Sequence, residues 1–233
     1  MKAEDSRLEK LNNPWSGFKY SDYMVNEIDE EAFREHNRVA SSKFAFIPFL
    51  TPEPWIGNPK ADVVILLANP GATKENIAGQ REENPFRHEL SIANLNDEAM
   101  DYPHYFLDPR LANDPGGKWW RAALGSLIKG SSLESVARSV MSLEALPYHS
   151  GNFAMPPLPI PTQEYTFQIL REAMARNAFV VVYRQPEYWF EKVPELVSYK
   201  HKTADPNTTQ RVWITPGNLK NGYDEILERV RSN

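Results

Sequence analysis

The chain of 233 residues contains no cysteine. That absence removes disulfides, thiolate zinc sites, iron–sulfur clusters and a cysteine nucleophile together. Histidine is nearly as sparse. His36, His88, His104, His149 and His201 are scattered and form no H-x-x-x-H pair, so no metal site is expected. No run of about 18 apolar residues occurs, so no membrane span is expected. Mean hydropathy is −0.55. Residues 1–13 carry acids and no apolar stretch, so no secretory signal is expected there and a cytoplasmic location is. The chain also lacks G-x-G-x-x-G after a strand, G-K-[ST] and G-x-S-x-G. Dinucleotide, nucleoside-triphosphate and α/β-hydrolase fingerprints are therefore missing, and no cofactor is expected. The chemistry is left to carboxylates, amides, hydroxyls, histidine and backbone.

Hydrophobic residues make up 41% and charged residues 24%, the balance of one folded domain over residues 1–233. Charge is distributed unevenly. Residues 75–114 hold nine acids against three bases, and residues 115–233 hold fourteen bases against eleven acids. The formal net charge of −5 thus belongs to one acidic segment on a slightly basic body, and such a body leaves room for a polyanion-facing side.

Hydrophobic spacing predicts a helix over 25–41, then a proline- and aromatic-rich extended stretch over 44–59. Asp62–Ala68 is a short apolar run bounded by Asn-Pro on both sides, which reads as a buried parallel strand. Residues 72–116 form a loop-rich insertion with one candidate helix near 88–99. A helix follows over 118–129. Further apolar strands are expected at 140–143, 178–184 and 211–215. Helices are expected over 162–177 with Thr162 as cap, over 187–200 with a break at Pro194, and over 222–231. Strands alternating with helices give a three-layer α/β/α sandwich around a four-stranded, mainly parallel sheet. Residues 1–57 form an arm and helix packed on a core of 58–233.

Ligands of open parallel sheets bind at the carboxyl ends of the strands. Those ends deliver Asn69-Pro70-Gly71, then Glu144 with Tyr148-His149-Ser150, then Tyr183-Arg184-Gln185, and last Thr215-Pro216-Gly217-Asn218.

Leu67-Ala68-Asn69-Pro70-Gly71, after a buried strand, resembles the first motif of the uracil-DNA glycosylase superfamily, closest to the G-I-N-P-G of its mismatch-specific branch. Thr215-Pro216 lies where the second motif places an H-P-S-P turn. Glu144 lies where the family's strand ends in a base-reading asparagine. The resemblance covers residues 58–232 and implies hydrolysis of the N-glycosidic bond of a modified or mismatched base in DNA, as in DNA repair. It implies that Asn69 orients the attacking water and that Pro70 and Gly71 let backbone approach the ligand. It further implies that Phe86 stacks on the base, that Glu144 reads it with Tyr148 and Arg184 nearby, and that Thr215, Gly217 and Asn218 grip flanking phosphates. The second-motif histidine falls at Trp213 or Ile214 and is missing, with His149 as the candidate replacement. An ionised Glu144 only accepts hydrogen bonds, so it suits a base with two donors unless the carboxyl is protonated. Two other readings remain open: a non-catalytic nucleic-acid-binding protein on the same fold, and an enzyme acting on a small nucleoside or nucleotide.

Overall fold

The computed structural model describes residues 11–73, 77, 85–203, 212–219 and 222–232. In chain order the elements are α1 (Glu30–Val39), β1 (Trp55–Ile56), β2 (Val63–Leu66), α2 (Pro85–Leu95), α3 (Pro115–Ala123), α4 (Gly125–Gly130), α5 (Leu133–Ser139), β3 (Val140–Leu143), α6 (Gln163–Ala175), β4 (Phe179–Val182), α7 (Pro186–Lys192), β5 (Lys202–Thr203) and α8 (Tyr223–Arg231). The strands form one five-stranded sheet in the order β1-β3-β2-β4-β5. Strands β3, β2, β4 and β5 run parallel to one another, and β1 is antiparallel to β3.

The central strands are buried on both faces because their sequences, VVIL, VMSL and FVVV, are almost wholly apolar. Alternate residues serve separate cores. Val64, Leu66, Met141, Leu143, Val180 and Val182 pack with residues of α1, α6 and α7. Val63, Ile65, Val140, Phe179 and Val181 pack with residues of α3, α4, α5 and α8. The molecule is thus an α/β protein whose mixed, mostly parallel sheet is flanked by helices. Among the described residues no helix is long and apolar enough to cross a membrane.

The sheet differs from expectation at both edges. Trp55–Ile56, from the proline-rich stretch, joins as the antiparallel edge. Gly57 makes that approach feasible: its φ is +112°, and a Cβ there would lie 2.7 Å from the Val140 carbonyl oxygen. At the other edge the expected strand over 211–215 is absent. Arg211 lies outside the described residues, and Val212–Ile214 form no strand. The Ile214 N–H donates to the Ala123 carbonyl at the end of α3, so this segment pairs with a helix terminus. Lys202–Thr203 occupies the β4 edge instead. The sheet therefore has five strands where four were expected.

Residues 11–57 are built into the first core through Trp15, Val25, Phe33 and Phe46. Their polar anchor is buried Asp29. Its carboxylate accepts from the Thr162 N–H (2.9 Å) and hydroxyl (2.6 Å) and from the Tyr148 hydroxyl (2.7 Å). The Thr162 side chain, expected to cap α6, is spent on Asp29 and makes no capping bond. The Tyr148 hydroxyl also accepts from the Asn26 N–H at 3.1 Å, and its ring packs against Trp15, Phe33 and Phe46. Tyr148 is therefore a core tie, and it is absent from the cleft described below. Tyr148→Phe removes one hydrogen-bonding hydroxyl from two buried partners and should cost about 1–3 kcal/mol in urea unfolding, with ligand binding at the cleft unchanged.

Candidate functional site

The chain leaves β2 toward one face of the sheet, through α3–α5, and leaves β4 toward the other, through α7. A crevice opens where such connections diverge. Here it is a cleft of about 720 Å³, walled by the loops after β2, β3 and β4, by the Glu53 segment and by residues of the insertion. Trp189 of α7 supports it from below, its indole N–H donating to the Leu67 carbonyl at 2.9 Å.

The loops after β2 and β3 are joined. Gly71 and Ser150 form an isolated parallel bridge, and the Ser150 N–H donates to the Pro70 carbonyl at 3.3 Å. Asn69 lies within this junction. Its Nδ2 donates to Ser150 Oγ at 2.9 Å, and that hydroxyl donates to the Asn152 carbonyl at 2.8 Å. A hydroxyl has one proton to give, so Ser150 must accept from Asn69. The amide orientation follows: the NH₂ group is committed, and Oδ1 remains an acceptor on a cleft-lining residue. Pro70 and Gly71 line the same wall, and a Cβ at Gly71 would meet nothing within 4 Å.

A buried charge cluster forms another wall. Arg87 is 3% exposed. Its guanidinium lies 3.3 Å from Glu53 Oε1 and 3.3 Å from Asp114 Oδ1, and stands 5.0 Å from the Phe106 ring centre. Glu53 Oε1 also accepts from the Tyr105 hydroxyl at 3.1 Å. Burial, reinforced by the Glu53 carboxylate, pushes that phenol well above its ordinary range. Asp114 caps α3, accepting from the Gly116 N–H at 2.8 Å.

His149 is buried in the cleft wall with both ring nitrogens engaged: Nδ1 is 3.0 Å from the Gly71 carbonyl and Nε2 is 3.0 Å from the Thr51 carbonyl. Burial pushes its imidazole below the ordinary range, against the pull of Glu53, whose Oε1 lies 3.8 Å from Nε2. A neutral imidazole carries one N–H, so His149 donates to one of these carbonyls and lies against the other, which ties the Gly71 loop to the Thr51 segment.

Glu144 follows β3 directly and is 5% exposed. Its backbone is fixed at both ends, the N–H donating to Pro54 (3.0 Å) and the carbonyl accepting from Gln163 Nε2 (2.9 Å). Its side chain is not: among the described residues Oε2 has no partner. Burial pushes this carboxyl well above the ordinary range, and neighbouring Glu53 adds to the shift. Arg184, after β4, also lines the cleft, and its guanidinium forms no ion pair among the described residues. It stands 5.6 Å from the Tyr183 ring centre.

Of the residues singled out by sequence, the fold thus brings Asn69, Pro70, Gly71, Glu144, His149 and Arg184 to one cleft. Five others lie elsewhere, Tyr148 in the first core as described above. Phe86, 41% exposed, lies under the Arg110 guanidinium at 5.1 Å on α2 and does not line the cleft. Thr215, Gly217 and Asn218 form a self-contained turn, with the Asn218 N–H donating to the Thr215 carbonyl and its Nδ2 to the Trp213 carbonyl. From that segment only Val212 reaches the cleft among the described residues.

Sequence reasoning missed Glu53, Arg87, Phe106 and Trp119. Glu53 is enclosed by Pro52 and Pro54 in a stretch without periodicity, and Arg87 is one of three bases in an acidic segment. Ser150, beside His149, was named only as part of a strand-end loop. Among the described residues no group of three or more His, Asp or Glu side chains is placed to hold a metal. Compared with known proteins, the chain matches no family model, no curated protein and no solved structure.

Removing Arg87 would strand two buried carboxylates. Arg87→Met should destabilise by about 3–5 kcal/mol in chemical denaturation, and adding Glu53→Gln should recover part of that loss.

Proposed function

We propose that the protein is a uracil-DNA glycosylase-like hydrolase that cleaves the N-glycosidic bond of a modified or mismatched base in DNA. Its fold is then the three-layer α/β/α sandwich of that superfamily. The observation that carries the reading is the Asn69 amide. Ser150 holds its NH₂ group, so Oδ1 is free to accept a hydrogen bond from a water in the cleft. An amide cannot abstract a proton. It can hold a water in line with a sugar carbon, and a dissociative reaction through an oxocarbenium-like state depends more on position than on deprotonation.

Two further features support the reading. The strand-Asn-Pro-Gly arrangement resembled in sequence is retained as a rigid wall, with Pro70 accepting from both Asn69 and Ser150. Arg184 supplies a positive charge at the cleft and forms no ion pair among the described residues. That charge favours a phosphate-bearing ligand over a free nucleoside.

The test is base release from a panel of oligonucleotides carrying uracil, hypoxanthine, mismatched thymine and alkylated bases. Release from at least one is expected, and release from none ends the proposal. Asn69→Ala should reduce it by about 10²-fold or more, because the water loses its positioning contact. Asn69→Asp, which still presents an acceptor, should retain activity. Gly71→Tyr offers an independent check. Its side chain enters open space, so stability should stay within about 0.5 kcal/mol by thermal unfolding, while base release falls through loss of room.

A further inference from the structure

We propose that Glu144 is the proton donor to the departing base; this rests on the hydrolase reading above. The cleft holds two buried carboxyl groups in unlike surroundings. Glu53 is paired with the Arg87 guanidinium and accepts from the Tyr105 hydroxyl. Among the described residues Glu144 is in no ion pair, and its Oε2 is unpartnered. Of the other charged and titratable groups of the cleft, Arg87 is paired with Glu53 and Asp114, and the ring nitrogens of His149 face the Gly71 and Thr51 carbonyls. Arg184, on the far loop, shows no ion pair with Glu144. Unlike surroundings push two carboxyls apart in acidity, and burial without a paired cation favours the neutral form. The direction of the Glu144 shift agrees with that division.

The assignment also accounts for a departure from the resembled family. The position of its second-motif histidine holds Trp213 or Ile214 here. Trp213 is solvent-exposed and Ile214 is fully buried in the second core, and neither carries a proton to give. Glu144 and Asn69 then act on opposite sides of the bond. The C–N bond breaks with its electron pair going to the base nitrogen, and the Glu144 O–H proton passes to the base. The water held at Asn69 adds its oxygen to the sugar carbon. That water sheds its proton to solvent and the Glu144 carboxylate takes one back from solvent, so one water is consumed and the acid is regenerated.

The sign of the pH dependence follows. Only the neutral carboxyl donates, so release of a neutral base should fall as pH rises through the folded-state value of Glu144. Stability should respond to the same group. The unfolded carboxyl loses its proton first, so stability declines from the ordinary carboxylate range up to the folded value and is flat above it. Glu144→Gln should remove that slope.

The decisive comparison sets neutral bases against a cationic one. A base already positively charged, such as 7-methylguanine, departs as a neutral molecule and needs no proton. Glu144→Gln should slow release of uracil or hypoxanthine by about 10²–10⁴-fold while changing release of 7-methylguanine by less than about threefold. In parallel, ¹³C-carboxyl glutamate labelling, wild type minus Glu144→Gln, should show a neutral Glu144 carboxyl at pH 7. An equal effect of the substitution on neutral and cationic bases would overturn the proton-donor role and leave the hydrolase reading intact. An ionised Glu144 at pH 7 would overturn it too, whatever the activity. A neutral carboxyl in a protein that releases no base would instead end the hydrolase reading, and the donor role with it.

Discussion

One buried cation organises the cleft. Arg87 neutralises Glu53 and Asp114 at once, and those carboxylates come from segments 34 and 27 residues away in sequence. Removing a guanidinium from water is costly, and the expense is offset only because two carboxylates and an aromatic ring enclose it. The arrangement has a further effect. With its charge spent on these two partners, Arg87 has none left for Glu144. The difference between a paired and an unpaired carboxyl in one cleft therefore originates in this ion cluster. The same cluster joins three parts of the chain: Glu53 from the stretch leading to β1, Arg87 from α2, and Asp114 at the start of α3.

Much of the architecture was legible. The three apolar runs at β2, β3 and β4 became the centre of the sheet, because continuous hydrophobic runs of that length have few other stable placements. The helices over Glu30–Val39, Gln163–Ala175 and Tyr223–Arg231 fell within the expected spans. The edges were not legible. Lys202–Thr203 is short and half-buried, so it shows no apolar run. Val212 and Ile214 are apolar because they pack in the second core, and their burial mimicked a strand.

The site followed the same division. Residues placed directly by a strand end, Asn69, Glu144 and Arg184, were found from strand order alone. Residues that reach the cleft from the insertion or from irregular chain, such as Arg87, Phe106 and Glu53, have no periodic signal. The acidic segment shows why composition misled. Asp108 caps a turn and pairs with Arg110, and Asp114 caps α3 and pairs with Arg87. Several of its charges are internal structural parts. The acidic segment contributes Arg87 to the cleft wall.

The Asp29 anchor has a consequence for how the molecule is assembled. Asp29 binds Thr162, 133 residues downstream, and the Leu11 N–H reaches Gln168, 157 residues downstream. During synthesis from the amino terminus, α1 leaves the ribosome long before Thr162 and Gln168, the partners of Asp29 and Leu11, are made. Until α6 emerges, Trp15 and Phe33 have no core to enter. The segment around α1 is thus among the last to reach its native contacts, and over that interval it presents apolar aromatic surface to whatever surrounds the nascent chain.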